Sequence, residues 1–205
     1  MKRAAFGIRM HSGWGVLVAV SDEIEIIDRR RIAVTNDKGP RGNQPFHYAR
    51  ELGLAEAEKY LLQYRAESER MARETIAVAA KELKACGYDV AVIALLLASG
   101  RPLPELPQIL ASHPLIHTAE GELFREVVVQ ASESLRIPVR RYRERAIEQI
   151  AESVLIASTQ IALQKLAVAG KKLGPPWTSD HKAAVLAGYV ALQETISERK
   201  AQANT

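Results

Sequence analysis

The sequence predicts an α/β fold, and three observations carry that expectation. Apolar residues alternate at strand period near the start of the chain. An unbroken hydrophobic run, Val90 to Leu97, follows a long helical pattern, and further amphipathic helical patterns close the chain. In order, the elements read βββ-α-β-α-β-α-α. With 205 residues, 47% of them hydrophobic and 25% charged, the chain has core enough for one domain spanning 1–205.

Residues 4–20 form two strands about a Gly-rich turn. Phe6, Ile8 and Met10 alternate ahead of His11-Ser12-Gly13-Trp14-Gly15, and Val16 to Val20 is apolar throughout. A third strand runs from Ile24 to Val34, with Ile24, Ile26, Ile32 and Val34 on one face; Asp28 and Arg30 in its middle mark an edge or an exposed side. Thr35 to His47 holds two glycines, two prolines and no periodicity, the composition of a loop or flap. Leu54, Ala57, Tyr60, Leu61, Tyr64, Met71, Ile76, Ala79 and Leu83 recur at helical spacing over 53–85, as one long helix or two in tandem, with Gly87 as a stop. The run Val90 to Leu97 then reads as the middle strand of the sheet, covered on both faces. Pro102, Pro104 and Pro107 punctuate a loop; a helix follows over 119–135, a short strand over 137–142, and helices over 146–169 and 179–199 around Gly174-Pro175-Pro176.

This order, with the opening Phe6-Gly7-Ile8-Arg9-Met10-His11-Ser12-Gly13-Trp14-Gly15-Val16, resembles the ribonuclease-H-like superfamily, and within it the RuvC-like resolvase branch. The resemblance implies a mixed sheet of three antiparallel strands followed by two parallel ones. The family ends its first strand in Gly-Ile-Asp; here Arg9 stands at the Asp position. Its fourth strand carries a glutamate, and Val90 to Leu97 carries no acid. The stretch Pro175 to Ala187 is similar to the family's final helix: Asp180 matches a ligand position, while Lys182 and Ala183 stand where further acids belong. Two-metal phosphodiester cleavage needs several carboxylates converging on paired Mg²⁺ or Mn²⁺ ions, so the resemblance implies the fold with a degenerate metal site.

Other classes find little support. The longest apolar run is about half a bilayer crossing, and Met1-Lys2-Arg3 leads into a strand pattern instead of a signal-peptide core, so no membrane partner is expected and the protein is read as cytoplasmic. Cys86 is the only cysteine, without a disulfide partner or second soft ligand. No P-loop appears, Gly13-Trp14-Gly15 lacks the rest of a dinucleotide fingerprint, and neither Ser12 nor Cys86 has a base at a recognisable spacing.

The formal charge is +4, concentrated in Arg29-Arg30-Arg31, Lys38 to Arg41 and Arg140 to Arg145. Arg29 and Arg31 share one strand face; with Arg140, Arg141 and Arg143 they would make a stripe that follows phosphates, or else a charged edge that resists aggregation. The topology the resemblance implies brings His11 and Asp180 together, near Arg9 and His181, as a base and its orienter, as part of a single-metal site, or as a helix-start acid and a neighbour. Trp14 and Trp177 flank that place, as stacking platforms or as core anchors.

His113 to Arg125 is rich in reactive side chains. Thr118 reads as the N-cap of the helix and Glu120 as a first-turn acid. His113 and His117 have helical metal spacing, but Pro114 between them argues against a regular helix, so no metal ligands are assigned there. The leading expectation is a non-catalytic module that binds nucleic acid or a protein. The alternative is a divergent metal-dependent phosphodiesterase or nuclease built on His11, Glu120 and Asp180, with Mg²⁺ or Mn²⁺ only if that site is rebuilt. A third is a homodimer paired through the helices at 53–85 and 146–169.

Overall fold

The computed structural model describes residues 1–36, 40–98, 102–155 and 159–203. Strand β1 (Lys2–Met10) turns into β2 (Trp14–Ser21), and β3 (Ile26–Ala33) returns beside β2. Short helices α1 (Pro40–Asn43) and α2 (Pro45–Ala49) lead to α3 (Leu54–Ala85), β4 (Tyr88–Leu97), α4 (Leu106–Leu110) and α5 (His113–Ser134). The chain continues through β5 (Val139–Arg143), a 3₁₀ turn at Glu144–Ala146, α6 (Ile147–Leu155), α7 (Thr159–Lys172) and α8 (Ser179–Ala203). No described helix is long and apolar enough to cross a membrane.

The five strands order β3-β2-β1-β4-β5. The first three are antiparallel, and β4 and β5 run parallel to β1 and to each other, which is the mixed sheet expected. The sheet centre is β1, with the apolar β4 beside it, so Val90 to Leu97 is an interior strand without being the middle one. Strand β3 is an edge, one of the two settings its charged middle allowed. It begins at Ile26 instead of Ile24 because Ile24, at φ 64°, sits in the tight turn that Ser21 and Glu25 close.

Two hydrophobic layers sandwich the sheet. On one face Phe6, Ile8 and Met10 of β1 meet α2, α3, α4 and α5; on the other Ala5, Val16, Val18 and Val20 meet α6, α7 and α8. The 53–85 pattern is one continuous helix, about 48 Å long at 1.5 Å per residue. It ends at Gly87, whose φ of 88° lies in the left-handed region a helix C-terminus uses. The expected helix over 146–169 is two pieces, α6 and α7, with residues 156–158 outside those described. In the expected loop 35–47, residues 37–39 also lie outside, while α1 and α2 pack against α3: Phe46 is buried and the Tyr64 hydroxyl donates to the Gly42 carbonyl.

Helix α5 corrects the reading of Pro114. The helix starts at His113, six residues before the expected 119, with Ser112 as N-cap and Pro114 in the first turn. Proline interrupts a helix interior, but in the first turn its missing N–H would have had no intrahelical partner. Thr118 is consequently not the cap; its hydroxyl donates back to the Pro114 carbonyl inside the helix.

Helix α8 lies directly on β1. A Cβ placed on Gly7 would fall inside the Ala184 carbonyl, and one on Gly188 would meet the Gly7 nitrogen at 3.0 Å and Val20 Cγ1 at 3.2 Å. Only a strand position without a side chain admits helix backbone this close. Gly7→Ala is therefore expected to lower the unfolding free energy by about 3 kcal/mol or more through overpacking. Gly188→Ala should change it by less than about 1.5 kcal/mol, because better helix propensity offsets its milder crowding. Urea unfolding of the two variants reads the contrast; equal effects would contradict the close approach.

Candidate functional site at the carboxyl end of the sheet

The contact of Gly7 with Ala184 sets what meets beyond it. Two residues further along β1 is Arg9, about 6.6 Å away at strand rise. Four residues back along the oppositely running α8 is Asp180, about 6 Å away at helix rise. Both side chains thus reach the same height at the carboxyl ends of β1 and β4, where diverging connections leave a crevice. Arg9 Nη1 lies 3.0 Å from Asp180 Oδ1, and Arg9 Nε donates to Glu144 Oε1 at 2.8 Å from the 3₁₀ turn after β5.

His11 completes the cluster. Its Nε2 is 2.8 Å from Asp180 Oδ2 and 2.7 Å from Arg9 Nη1. A ring nitrogen carries either a proton for the carboxylate or a lone pair for the guanidinium, so only one of these is a hydrogen bond at a time. Trp14 stacks on His11 at 4.3 Å between ring centroids, and the Arg31 guanidinium lies 4.5 Å from the Trp14 ring centroid. Trp14 is thus held by its neighbours and does not stand clear as a platform.

The start of α8 explains how Asp180 is kept for this cluster. The first intrahelical bond runs from the Lys182 N–H to the Thr178 carbonyl, making Thr178 the cap residue. The Thr178 N–H in turn donates to His181 Nδ1 at 3.2 Å, and the Thr178 hydroxyl lies 2.8 Å from the same nitrogen, so histidine takes the back-reaching half of a capping box usually played by Glu or Gln. Asp180 therefore faces the cluster and leaves that capping role to His181. Burial, then the nearby Arg29 guanidinium, hold His181 below the ordinary histidine range, against the opposing pull of Asp180.

Beside the cluster a cavity of about 890 Å³ opens between the end of β4 and α6, α7 and α8. Glu144 and Arg145 form its polar edge; Leu97, Leu163, Leu166 and Trp177 form much of its apolar wall. The Trp177 indole N–H is buried without a hydrogen-bond partner among the described residues.

Of the residues singled out in the sequence, His11 and Asp180 meet as expected. Glu120 does not join them. It lies on α5, buried to 2% exposure on the opposite face of the sheet, where it accepts from His47 Nδ1 at 2.9 Å. The three do not converge, so a rebuilt site using all of them together is corrected by the topology. The arginines divide as well. Arg29 and Arg31 lie on edge β3 and Arg140, Arg141 and Arg143 on the opposite edge β5, four strand spacings or roughly 19 Å away. Arg29 donates to the carbonyls of Gly174 and Pro176, Arg140 pairs with Glu194 and Glu198 of α8, and Arg141 Nη2 lies 3.7 Å from Glu126. The expected stripe is thus discontinuous. Glu144 and His47 escaped sequence reading, since neither lies in a motif and both act through partners distant in the chain.

No protein-family model matches the chain, and no curated protein is similar to it. Among solved structures the fold is similar to Thermus thermophilus RuvC in complex with a Holliday junction substrate. The TM-score is 0.54 at 10% identity, covering 95% of this chain and 96% of that one. A second T. thermophilus RuvC structure superposes at TM-score 0.47 and 9% identity, over 96% of each chain. With the strand order above, the first similarity shows a ribonuclease-H-like fold.

Two outcomes test the cluster. A double-mutant cycle of Arg9→Ala and Asp180→Ala is expected to give a coupling of about 1–2 kcal/mol, between exposed and buried ion pairs, since both side chains are about one-fifth exposed. Additive losses in urea unfolding would break the pair. Because the folded-state pKa of His181 is lowered, the unfolded chain takes up this proton first on acidification, and stability is lost as pH falls through the unfolded value of about 6.5. His181→Gln should flatten the slope of unfolding free energy between pH 7 and 5; a slope equal to the parent's would contradict the capping role.

Proposed function

We propose that this ribonuclease-H-like domain binds nucleic acid without cutting it. The observation that carries the reading is the Arg9 guanidinium, which sits between Asp180 and Glu144 at the carboxyl end of β1, where the resemblance implies a metal-binding aspartate. Both carboxylates already have a cation, and the second oxygen of Asp180 faces His11. The end of β4 adds Leu97 and Ala98, not an acid. This donor set does not fit a pair of Mg²⁺ or Mn²⁺ ions, which require several carboxylate oxygens unshared with fixed cations.

Charge supports nucleic acid over other partners. The sequence pI is about 9.2, and the exposed Arg31, Arg143, Arg145 and Lys182 lie at the ends of β3 and β5, in the turn that follows and at the start of α8, Arg143 on the side of β5 that carries Arg141. Cations so placed can neutralise phosphates without reading bases. The similar Thermus thermophilus protein was seen with a Holliday junction substrate, and a branched duplex is accordingly the first ligand to offer. Of the arginines picked out by sequence, Arg31, which lies on the Trp14 ring without a carboxylate partner among the described residues, and Arg143 are assigned to this surface; Arg29, Arg140 and Arg141 face carbonyl or carboxylate oxygens within the chain.

Fluorescence anisotropy with labelled four-way-junction, duplex and single-stranded DNA tests the reading, with product analysis in Mn²⁺. Four phosphate contacts predict that affinity falls on the order of 100-fold between 50 and 200 mM salt. Replacing Arg31 and Arg143 together by alanine should lower the slope of log affinity against log salt by about two. Salt-insensitive or absent binding refutes the reading, and so does Mn²⁺-dependent cleavage that disappears in Asp180→Asn.

A further inference from the structure

On the far face of the sheet, three histidines and a buried carboxylate come together. His113, His117 and Glu120 are spaced i, i+4 and i+7 along α5, on one helix face. Helix α2 brings His47 against them across 66 residues of sequence. One ligand nitrogen from each of His47, His113 and His117 lies within 4.8 Å of the others. The rings meet edge to face, with centroids 4.5 to 5.1 Å apart.

We propose that His47, His113 and His117 bind a borderline divalent cation of the zinc type, with Glu120 as the positioning residue behind them. Glu120 is 2% exposed, and among the described residues its ion-pairing neighbours are histidines and not Lys or Arg. A carboxylate so buried needs positive charge nearby, and a divalent ion held by three imidazoles supplies it. Glu120 Oε1 also accepts from the His47 backbone N–H at 3.3 Å and from His47 Nδ1 at 2.9 Å. Taking the Nδ1 proton fixes the tautomer and leaves Nε2 with the lone pair a metal uses, the carboxylate–histidine–metal relay of many zinc sites. The other oxygen, Oε2, lies 3.8 Å from His117 Nδ1, beyond hydrogen-bond distance but on the side where the same relay would form.

The geometry needs a short closure. Tetrahedral zinc with bonds of about 2.0–2.1 Å holds its nitrogens about 3.3 Å apart, so the widest pair must approach by about 1.5 Å. His113 and His117 are exposed and free to rotate that far, while His47 is anchored. Three nitrogen donors and no carboxylate in the inner set disfavour Mg²⁺ and Ca²⁺, which take oxygen, and suit Zn²⁺, Co²⁺ or Ni²⁺. Three protein ligands leave a fourth position toward solvent, the arrangement that distinguishes an exchangeable or reactive zinc from a closed structural one. The site lies across the sheet from Arg9 and Asp180 and does not depend on the nucleic-acid reading.

Isothermal titration with Zn²⁺ and visible spectroscopy with Co²⁺, on protein free of any polyhistidine tag, test the site. The expected result is one ion per chain, intense d–d bands of four-coordinate Co²⁺, and a rise in melting temperature with Zn²⁺. His117→Ala, at an exposed position, should keep the fold by circular dichroism and weaken binding at least 10-fold; Glu120→Gln should weaken it 10- to 100-fold. His113→Ala with His117→Ala should abolish both the stoichiometric ion and the bands. Unchanged Zn²⁺ binding in that folded double variant, absence of stoichiometric binding in the parent, or equal affinity for Mg²⁺ would each overturn the assignment.

Discussion

The rest of this structure depends on the backbone contact between β1 and α8. Ala5 and Gly7 leave the central strand almost without side chains on one face, and the last helix settles into the space until the Ala184 carbonyl lies over Gly7. The final element of the chain therefore covers the first. Helix α8 buries His181 and then nine consecutive residues, Ala184 to Leu192, and so serves as a core element touching β1, β2 and β4. Its polar ends are left for other tasks: Asp180 at the start, and Glu194 and Glu198, which hold Arg140 and the Tyr142 hydroxyl of β5. Burial and Glu194 push Tyr142 well above the usual phenol range, keeping it a neutral donor.

That docking makes the ionic cluster compulsory. With helix and strand in register, Arg9 and Asp180 are carried to the same place, partly shielded from water, and loss of Arg9 would remove the cation that Asp180 and Glu144 share. The guanidinium does sterically and electrostatically what a bound cation does: it neutralises converging carboxylates at the carboxyl end of the sheet. The difference is chemical, because a guanidinium has no open coordination position and cannot lower the pKa of a bound water. Here the carboxylates of Asp180 and Glu144 converge on a fixed organic cation.

The sheet also separates two polar centres, and with them Glu120 from the His11 and Asp180 that the alternative expectation had joined to it. Arg9, His11, Glu144 and Asp180 occupy the face covered by α8, while His47, His113, His117 and Glu120 occupy the face covered by α5. A five-stranded sheet buried on both sides is an apolar wall of Phe6, Ile8, Leu17, Ile93 and Leu95, and no side chain reaches through it. Glu120 thus lies against His47 and near His117, not His11.

The strands, the helical span 53–85 and the α/β order were legible in the sequence because each is written in a local period of hydrophobicity or in a turn residue such as Gly87; that the span is one helix and that β3 is an edge only the fold decided. The pairing of His11 with Asp180 was legible only through the resemblance in element order, which told which ends of the chain meet. What tertiary structure alone decided were the contacts set by sheet order and helix register. It put β1 and not β4 at the centre, the two arginine groups on opposite edges, Glu144 on Arg9, and His47 beside a helix 66 residues away. Pro114 shows the limit at its sharpest: whether a proline breaks a helix or opens one depends on where the first turn falls, and here Ser112 and the packing of Ile116 and Ala119 against the sheet face placed it at the beginning. Periodicity is a property of neighbours along the chain, whereas a site is made where distant segments arrive at one height, and only the packed core sets that height.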